Sequence, residues 1–579
     1  MKRRMQEKET TQAEITKLVN QMDTSEICLP SFQRDFVWTK EQMALLIESV
    51  IRHYPIGCFM YLNCDMNQDF GYFSFAETDK KAIASEYYVI DGQQRLRTFF
   101  KLLHEAKKYE AFDPIECQGG NYKFYYDVRY NPYSLPKEIR KPTFIVPIST
   151  EEEEKDEHLR KEVKYRIPVE FLMSEKNSEK WIKLSIPKKS KSRKKEFESN
   201  IEETRSLICS YKCPIEKINM RLNPKDHANM FQLLNEGGTD LTIFDLLVAE
   251  FTPEKVNLRK LWKQALKDYA NLAKYNIDPL YVIRTLVLIR KTKNEDENPT
   301  CKKPDIRKLR ALYDDVKNVS KALQEDWGEA VRFVDKAMDK IVNNFGVCKR
   351  KYLPYSPMII TLAIAEWWVW REEYPEVSKR KINQKIRRWY WSSVFDNKYE
   401  KSTDNVISKE YSALRKWLAP RGSKKMPSDI SVYFSKYEIE KKILNDIESA
   451  GDARYKAIMC MPLIDGKGRD IYSENILDKK AVVNDHHIYP KASDVTKGCD
   501  KNEVNNIVNR MLITGETNNE IWKKSPYDYL ESVPNRILAK HFLFKSIVSK
   551  QLSFGEFMEK RKKLLVNAIY NLLTFGDID

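Results

Sequence analysis

The feature that most constrains this chain lies near its C-terminus, where two histidines stand side by side in the run Asp485-His486-His487-Ile488-Tyr489-Pro490. Only seven histidines occur among its 579 residues. Because adjacent side chains on an extended segment point in opposite directions, His486 and His487 cannot share one ligand face and suit different tasks. On a strand-loop-strand-helix hairpin, His486 would face a divalent metal ion while His487 would face the water that attacks a phosphodiester.

Two asparagines follow at positions that fit the same hairpin. Asn509 ends a short apolar run, where its amide would orient the base histidine. Thr517 and Glu520 match a T-x-x-E capping box, which predicts Asn518 in the first turn of a helix that continues through Trp522. The side-chain oxygen of Asn518 would then complete the metal shell. The alternative is a histidine pair satisfied by hydrogen bonds in an ordinary loop.

The run His486-His487-Ile488-x-Pro490, followed by Asn509 and Asn518, resembles the HNH, or ββα-metal, nuclease motif. The spacing of the two asparagines, with a leucine three residues after the first, is similar to the HNH domain of CRISPR effector nucleases. The resemblance implies that His487 is the general base, that His486 and Asn518 are metal ligands, and that Asn509 supports the base. A His/Asn site without cysteines suits a hard, exchangeable ion, and we expect Mg²⁺ or Mn²⁺.

A second motif lies in the N-terminal half. Residues 87–90 predict a strand that runs directly into Asp91-Gly92-Gln93-Gln94-Arg95, and a helix is predicted after it. A glycine turn between a strand and a helix exposes backbone N–H groups at the helix N-terminus, and Arg95 adds positive charge there. The turn therefore favours a phosphate site, and a purely structural turn is the alternative.

Residues 30–38, with the D-G-Q-Q-R run some sixty residues later, resemble the N-terminal domain of GmrSD-type proteins, which is related to the ParB and sulfiredoxin-like fold. A third match to that domain is the segment 231–241. The family pairs this domain with a C-terminal HNH-like nuclease, and both motifs occur here in that order. The resemblance implies binding and hydrolysis of a nucleoside triphosphate in the N-terminal domain. The residues it assigns to this role are Asp91, Gly92, Gln93, Gln94 and Arg95, with Gln33 and Arg34 as neighbours.

Positive charge is concentrated in the middle of the chain. The full sequence carries +16, but residues 1–250 carry −1, residues 251–450 carry +14 and residues 451–579 carry +3. A basic body can neutralise phosphates and hold a duplex while a separate module cuts it, so the middle third is a candidate DNA-binding surface. A solvated helical surface is the alternative. The densest basic group is Lys379, Arg380, Lys381, Lys385, Arg387 and Arg388.

The length and these motifs predict a mostly helical α+β protein of several domains. We expect a ParB-like α/β domain over 1–250, a basic helical domain over 251–450 and a ββα-metal nuclease module over 451–579. The ten cysteines form no repeated C-x-x-C pair, which argues against a disulfide framework and a zinc ribbon. The longest apolar run, 358–370, is too short to span a membrane and predicts a buried helix. Without a secretory signal, the expected location is the cytoplasm.

Together these observations predict a modification-dependent DNA endonuclease of a prokaryotic anti-phage defence system, gated by a nucleotide. The expected partner is double-stranded DNA, in particular modified phage DNA, with no membrane; the sequence leaves a homodimer open. One alternative is a nucleotide-dependent DNA sensor or regulator whose nuclease module is degenerate. Another is a nonspecific nuclease toxin restrained by a partner.

Overall fold

The computed structural model describes residues 8–574 and divides the chain into two units, residues 1–258 and 259–579. Arg34 and the segment 231–241 lie outside the described residues. So do both termini (1–7 and 575–579) and the interior positions 31–32, 65–71, 76–84, 105–113, 135–142, 150–164, 186–190, 220–230, 253, 295–308, 374, 401–402, 420–421, 423–425, 429, 431–433, 446, 448, 479, 492–494 and 523.

A mixed β-sheet organises the first unit. The described strands are β1 (Lys8–Glu14), β2 (Ile27–Pro30), β3 (Phe59–Asn63), β4 (Tyr72–Phe73), β5 (Tyr87–Asp91), β6 (Ile115–Cys117), β7 (Gly120–Asp127), β8 (Ile145–Ser149), β9 (Arg166–Pro168) and β10 (Lys212–Ile218). Six of them form one sheet in the order β1-β10-β3-β5-β2-β4. The pairs β10–β3 and β2–β5 are parallel and the other pairs of this sheet are antiparallel. In a second, antiparallel sheet, β7 pairs with β6, β8 and β9.

Five of the described helices pack apolar faces into one core with the sheet. They are α1 (Ile15–Asp23), α2 (Lys40–Ile51), α3 (Gln93–Leu103), α4 (Glu175–Ser185) and α5 (Lys191–Ser210), with a 3-10 turn at Val169–Met173. Helix α6 (Ile243–Phe251) follows at the end of the unit. Helix α2 begins at a complete capping box, in which Thr39 and Gln42 each accept a backbone N–H of the other. The buried carboxylate of Glu48, on the same helix, accepts the N–H groups of residues 143–145 and so ties α2 to β8.

The second unit begins with a helical region. Its helices are α7 (Leu258–Asp268), α8 (Ala270–Lys274), α9 (Pro279–Asn294), α10 (Val319–Asn343), α11 (Met358–Arg371), α12 (Glu376–Phe395), α13 (Thr403–Leu418) and α14 (Lys436–Glu438), which continues as a π-helix (Ile439–Leu444). The buried helix predicted over 358–370 is present as α11. Its one acid, Glu366, is buried and pairs with Lys336 at 3.1 Å and with Lys340, which compensates the charge.

The C-terminal part of this unit contains a two-stranded antiparallel hairpin among short helices. Its elements are α15 (Ala453–Cys460), β11 (Val483–His487), α16 (Lys501–Asn505), β12 (Arg510–Thr514), α17 (Gly515–Ile521), α18 (Pro526–Tyr529), α19 (Asn535–Leu538) and α20 (Phe554–Thr574). The 3-10 turns of the unit are Arg310–Tyr313, Arg350–Tyr352, Met461–Gly466, Ile507–Asn509, Ala539–His541 and Lys545–Ile547.

The predicted α+β class, with a helical middle region, agrees with this mixture of small sheets and many helices. The three-domain division stays a prediction. Inside the second unit, α20 packs on α12 and on the π-helix, so the C-terminal elements and the helical region contact each other directly. Among the described helices, none is both long enough and apolar enough to cross a membrane.

Candidate active site

Strands β11 and β12 bring the histidine pair beside a helix. In their antiparallel register His486 lies opposite Met511 and His487 lies opposite Arg510. Helix α17 follows β12 directly and contacts both strands. The segment therefore has the strand-strand-helix order that the sequence predicts, and successive histidines on β11 face different surroundings.

His486 points toward the helix. Its Nδ1 lies 2.9 Å from Oδ1 of Asn518, so the two predicted metal ligands are in contact. The histidine is 6% exposed, and its ring packs edge-on against that of Tyr529. Burial lowers the pKa of His486, which leaves the imidazole neutral, as a metal ligand must be.

One feature of this pair fits a metal ion. Because the amide oxygen of Asn518 only accepts, Nδ1 of His486 carries the proton and Nε2 carries the lone pair that a metal ion would bind. The Nε2 atom of His486 is buried without a hydrogen-bond partner in the described part of the chain, whereas purely structural buried histidines usually satisfy both nitrogens. No group of three His, Cys, Asp or Glu side chains among the described residues could hold a metal. His486 and Asn518 would therefore supply two ligands, and water and phosphate oxygens would supply the rest.

His487 is held at both ring nitrogens. Its Nε2 lies 3.1 Å from Oδ1 of Asn505 on α16, and its Nδ1 lies 3.1 Å from Nη1 of Arg510. Because the amide oxygen only accepts and the guanidinium only donates, Nε2 carries the proton and Nδ1 carries the lone pair. Burial, together with the charge of Arg510, lowers the pKa of His487 to about 4. The ring is therefore neutral near pH 7, as a general base requires.

Asn509 contacts the backbone rather than the base histidine. Its Oδ1 accepts the N–H of Tyr489 at 2.9 Å, and its Nδ2 donates to the carbonyls of Tyr489 and Val504 at 3.0 and 2.9 Å. Its side chain is completely buried. Asn509 therefore fixes the chain two residues after His487, and Asn505 makes the direct contact that the sequence assigned to Asn509.

Arg510, Asp485 and Tyr455 complete the network, and the sequence motif alone predicts a role for none of them. Nη1 of Arg510 lies 3.2 Å from Oδ1 of Asp485, and Oδ2 of Asp485 accepts the Tyr455 hydroxyl at 2.6 Å. The only local indication was that Asp485 and Arg510 flank His486 and Asn509 in the motif. Nothing in the sequence near Tyr455 points to the hairpin thirty residues later.

The predicted capping box at Thr517 and Glu520 is wrong. Helix α17 begins at Gly515, with Thr514 as its N-cap, and ends at Ile521 before Trp522, whose φ is 43°. The Thr514 hydroxyl accepts the N–H of Thr517 at 3.2 Å. Asn518 is therefore one turn inside the helix rather than in its first turn, but it still faces His486.

The buried carboxylate of Asp470 determines where this helix starts. It accepts the Thr514 N–H at 2.8 Å, the Thr517 hydroxyl at 2.5 Å and the N–H groups of Tyr472 and Ser473 at 3.1 Å. Burial alone would raise the pKa of Asp470, but these hydrogen bonds outweigh burial and lower it. Asp470 thus aligns α17 with the hairpin from outside the motif.

The strand-to-helix turn in the first unit has the predicted shape. Strand β5 ends at Asp91, and α3 begins at Gln93 after Gly92, which has a φ of 91°. A Cβ atom at Gly92 would collide with the ring of Phe59, so both the backbone conformation and the packing require glycine.

Arg95 does not point to an open anion site at this turn, contrary to the expectation from the sequence. Its guanidinium donates to the carbonyls of Ile56 and Cys58 at 2.5 and 3.0 Å and to Oδ2 of Asp91 at 3.1 Å. It also lies over the ring of Phe59, 4.8 Å from the centroid. Arg95 therefore fastens the loop before β3 to the start of α3.

Two of the neighbouring glutamines are also engaged with the backbone. Gln33 donates to the carbonyls of Val89 and Ile90 on β5, at 3.1 and 2.9 Å. Gln94 donates to the Asp35 carbonyl at 3.1 Å and accepts the Val37 N–H at 3.0 Å. Gln93 is different because its buried Oε1 has no partner among the described residues.

The side chain of Asp91, at the end of β5, is 43% exposed. The side chains of Asp91 and Gln93, with the first N–H groups of α3, are the parts of the turn that remain available to a ligand.

The basic group on α12 is only partly open to solvent. Arg380 and Lys381 are exposed. Lys385 donates to the Trp417 carbonyl at 2.6 Å, and burial lowers its pKa. Arg387 donates to Asp465 at 2.9 Å. The candidate DNA-binding surface therefore has fewer available charges than the sequence count indicates.

Comparison with known proteins supports the resemblance of the first unit. Residues 15–252 match the family described as GmrSD restriction endonuclease, N-terminal domain. The chain is also 26% identical, over 623 aligned positions, to the uncharacterized protein MJ0686 of Methanocaldococcus jannaschii. That alignment covers 96% of this chain and 98% of the relative, so the two proteins are similar along almost their whole length. The HNH resemblance of the hairpin stays a prediction.

Proposed function

We propose that this protein is a metal-dependent endonuclease that cuts modified double-stranded DNA in a prokaryotic defence against phages. The main support is that His486, His487 and Asn518 converge on one strand-strand-helix segment. The match of residues 15–252 to a restriction endonuclease domain supports the substrate class.

His487 acts as the general base through Nδ1, which carries the lone pair. The Asn505 amide holds Nε2–H and so keeps the ring in that tautomer and orientation. Asn509 fixes the backbone that follows, so the imidazole cannot drift from the attacking water. The proton of that water moves to Nδ1, and the imidazolium that forms is stabilised by Asn505 and by the nearby carboxylate of Asp485.

His486 and Asn518 would hold a divalent ion, either Mg²⁺ or Mn²⁺. When bound, the ion would supply electrostatic stabilisation of the negative charge that develops in the reaction. The amide oxygen of Asn518 suits both ions, whereas the imidazole of His486 favours Mn²⁺ over Mg²⁺. We therefore expect activity at a lower concentration of Mn²⁺ than of Mg²⁺.

The nucleotide would bind at the turn between β5 and α3. Its phosphates would meet the first N–H groups of α3, and the unpartnered Oε1 of Gln93 would accept a hydroxyl or amino group of the nucleoside. Asp91, which is partly exposed, stands at the same turn. Arg95 contributes by holding the turn in shape rather than by contacting phosphate.

The function is tested by cleavage of the native DNA of a phage with modified bases, beside an unmodified copy made by polymerase chain reaction. We expect the full-length protein to cut the native DNA with Mg²⁺ or Mn²⁺ and a nucleoside triphosphate, and to leave the copy intact. Cutting of both DNAs without a nucleotide would favour the nonspecific nuclease instead.

Metal dependence is tested in the same assay. EDTA should stop cutting without unfolding the protein, and His486→Ala and Asn518→Ala should each raise the metal concentration needed for half-maximal cutting by about tenfold or more. Glu516→Ala, at an exposed position on the same helix, is the matched control. Full activity of both ligand variants at low metal concentration would show that these two ligands are wrong.

One observation favours the second candidate, a nucleotide-dependent DNA sensor with an inactive nuclease module. Both ring nitrogens of His487 are engaged, so the base is not open to water in this arrangement. DNA binding and nucleotide hydrolysis without cutting of any DNA would support the sensor.

A further inference from the structure

Arg510 occupies the place where the substrate water of a His487-catalysed reaction would lie. Its Nη1 is 3.1 Å from Nδ1 of His487, within the distance at which a general base holds the proton it removes. As long as this hydrogen bond persists, Nδ1 cannot accept a proton from water. The DNA-free arrangement is therefore inactive unless Arg510 moves.

The guanidinium is poorly satisfied where it is. Its Nε is buried without a hydrogen-bond partner in the described residues, and the bond to His487 is the one hydrogen bond that it donates there. The nearby Oδ1 of Asp485 is also buried and makes an ion pair at 3.2 Å without hydrogen-bond geometry. A buried guanidinium nitrogen without a hydrogen-bond partner is unusual in a native structure, and it indicates that Arg510 is not fully satisfied beside His487.

A phosphodiester would be a stronger partner than an imidazole. It carries a negative charge, and its two non-bridging oxygens match the fork of a guanidinium. Arg510 lies on β12 directly opposite the base histidine, so a phosphate that reaches His487 also reaches Arg510.

We propose that Arg510 caps Nδ1 of His487 in the DNA-free protein and transfers to a non-bridging oxygen of the phosphodiester at the cleavage site when DNA binds. This inference rests on the proposed endonuclease function. The transfer exchanges one hydrogen bond for another and at the same time opens Nδ1 to water. Arg510 is then a catalytic residue that contacts substrate, and Asp485, held by Tyr455, is the positioning residue that limits how far Arg510 can move.

The test compares Arg510→Ala with Arg536→Ala in the full-length protein. Arg536 is an exposed arginine of the same unit and is paired with Glu474 at 2.8 Å, so its loss removes a charge and an ion pair away from the hairpin. Binding to a duplex oligonucleotide is measured in EDTA at several salt concentrations. We expect Arg510→Ala to reduce the slope of log affinity against log salt by about 0.9, the value for one phosphate contact, and Arg536→Ala to leave it unchanged.

Cleavage gives the second measurement. Arg510→Ala should lower kcat by about 10²-fold or more, as the loss of a charge-stabilising donor does, with a smaller effect on KM. Added methylguanidine should restore part of the rate in this variant and not in His487→Ala, an outcome that a merely structural role of Arg510 does not produce. Arg510→Lys keeps the charge but not the fork, so it should keep the salt slope and still lose rate.

The outcomes separate this inference from the proposed function. If the wild type cuts and His487→Ala does not, but Arg510→Ala cuts at the wild-type rate with an unchanged slope, the inference is wrong and the function stands. Faster cutting by Arg510→Ala would overturn the phosphate contact, since Arg510 would then only inhibit. If the wild type cuts no DNA, the proposed function fails, and the salt slopes alone decide whether Arg510 binds phosphate. Should Arg510→Ala not fold, the slope and rate of Arg510→Lys decide the inference.

Discussion

The turn at Asp91–Arg95 in the first unit and the hairpin segment Asp485–Pro490 in the second are both short polar motifs associated with a β-strand. At the turn, Arg95 donates to two backbone carbonyls and one carboxylate, and Gln94 is bonded on both sides of its amide. At the hairpin, the Nε2 atom of His486 is buried without a partner.

The two motifs differ in whether their polar side chains are hydrogen-bonded within the protein. Bonded side chains hold the shape of a site, whereas unbonded polar atoms can still bind a ligand. A hydrogen-bonded polar side chain in a motif stabilises the fold, and its replacement leaves buried groups unsatisfied. A buried polar atom without a partner costs free energy, so a ligand or an ordered water that supplied the missing bond would be stabilising. By this criterion the hairpin has the stronger indication of chemistry, and at the turn it is Gln93 rather than Arg95 that indicates a ligand.

The largest expected effect on the DNA cleavage rate is at His487, and its absence would contradict the difference between the two motifs. His487→Ala should lower DNA cleavage by about 10²- to 10⁴-fold, the usual contribution of a positioned general base, while DNA binding and folding are retained. His104→Ala, which removes an imidazole from the first unit, is the matched control. A wild-type cleavage rate in His487→Ala would mean that the hairpin histidines are as structural as Arg95.

Asp470 is to the second unit what Arg95 is to the first, a hydrogen-bonded residue that holds the fold. Its replacement should therefore lower the free energy of unfolding. Asp470→Ala leaves the N–H groups of Thr514, Tyr472 and Ser473 and the hydroxyl of Thr517 without their acceptor. It should destabilise the second unit by about 3 kcal/mol near pH 7. Nine of the eleven tryptophans follow residue 258, so urea unfolding monitored by tryptophan fluorescence reports mainly this unit. Asp528→Ala, at an exposed position, should change stability by about 0.5 kcal/mol or less.

The effect of Asp470 should depend on pH with a defined sign. Its folded-state pKa is lowered by the hydrogen bonds it accepts, below the ordinary value of about 3.9. A carboxyl group of this kind contributes stability above its unfolded pKa, and the contribution disappears as the pH falls through the folded pKa. The difference between wild type and Asp470→Ala should therefore be constant from pH 7 to about pH 5 and shrink below about pH 4. A difference that grows on acidification would contradict the assignment.

The elements that the sequence predicted correctly depend on neighbouring residues. The T-x-x-Q spacing of Thr39 and Gln42 predicts a capping box, and α2 starts there because the two residues bond to each other. The apolar run from Met358 forms the buried helix α11, since the composition and length of the run are local properties. The glycine turn at Gly92 follows from the backbone freedom of one residue.

The elements that the sequence missed depend on contacts between distant residues. Thr517 has a suitable partner at Glu520, but the Asp470 carboxylate, 44 residues away, binds Thr514 and starts the helix earlier. The contact of Arg510 with His487 follows from strand register, which the spacing of motif residues does not reveal. Arg561 stands among Lys560, Lys562 and Lys563 in the sequence, yet it is buried and donates to the carbonyls of Val508 and His541.

Smaller effects, on stability and on nucleotide binding, are expected from replacements at the turn Asp91–Arg95. Arg95→Ala should destabilise the first unit by about 2 kcal/mol because two backbone carbonyls lose their donor, and hydrogen exchange of the amides in β5 and α3 would measure this loss. Gln93→Ala should destabilise the first unit less than Arg95→Ala does, because the Oε1 atom has no partner to lose. Calorimetry should nevertheless show weaker nucleotide binding by Gln93→Ala. Wild-type affinity in Gln93→Ala, or no binding of any nucleoside triphosphate by the wild type, would mean that the turn is only structural.

The smallest effect is expected on α12, where the same distinction applies to positive charges. Arg380 and Lys381 are exposed. Nζ of Lys385 instead donates to the Trp417 carbonyl and lies 5.3 Å from the centre of the Trp417 indole ring. If this helix holds DNA, Arg380→Glu and Lys381→Glu should each reduce the slope of log affinity against log salt by up to about 0.9 without loss of stability.

Lys385→Glu should instead destabilise the second unit, so a variant that reverses all six basic residues would confuse binding with folding. The control for charge alone is the pair Lys560→Glu and Lys563→Glu on α20, both exposed, with the buried Arg561 left intact. An unchanged slope in the Arg380 and Lys381 variants, equal to that of the α20 control, would mean that the basic middle third is a solvated surface. DNA would then be held by groups close to the hairpin, where Arg510 is the basic side chain nearest the base histidine.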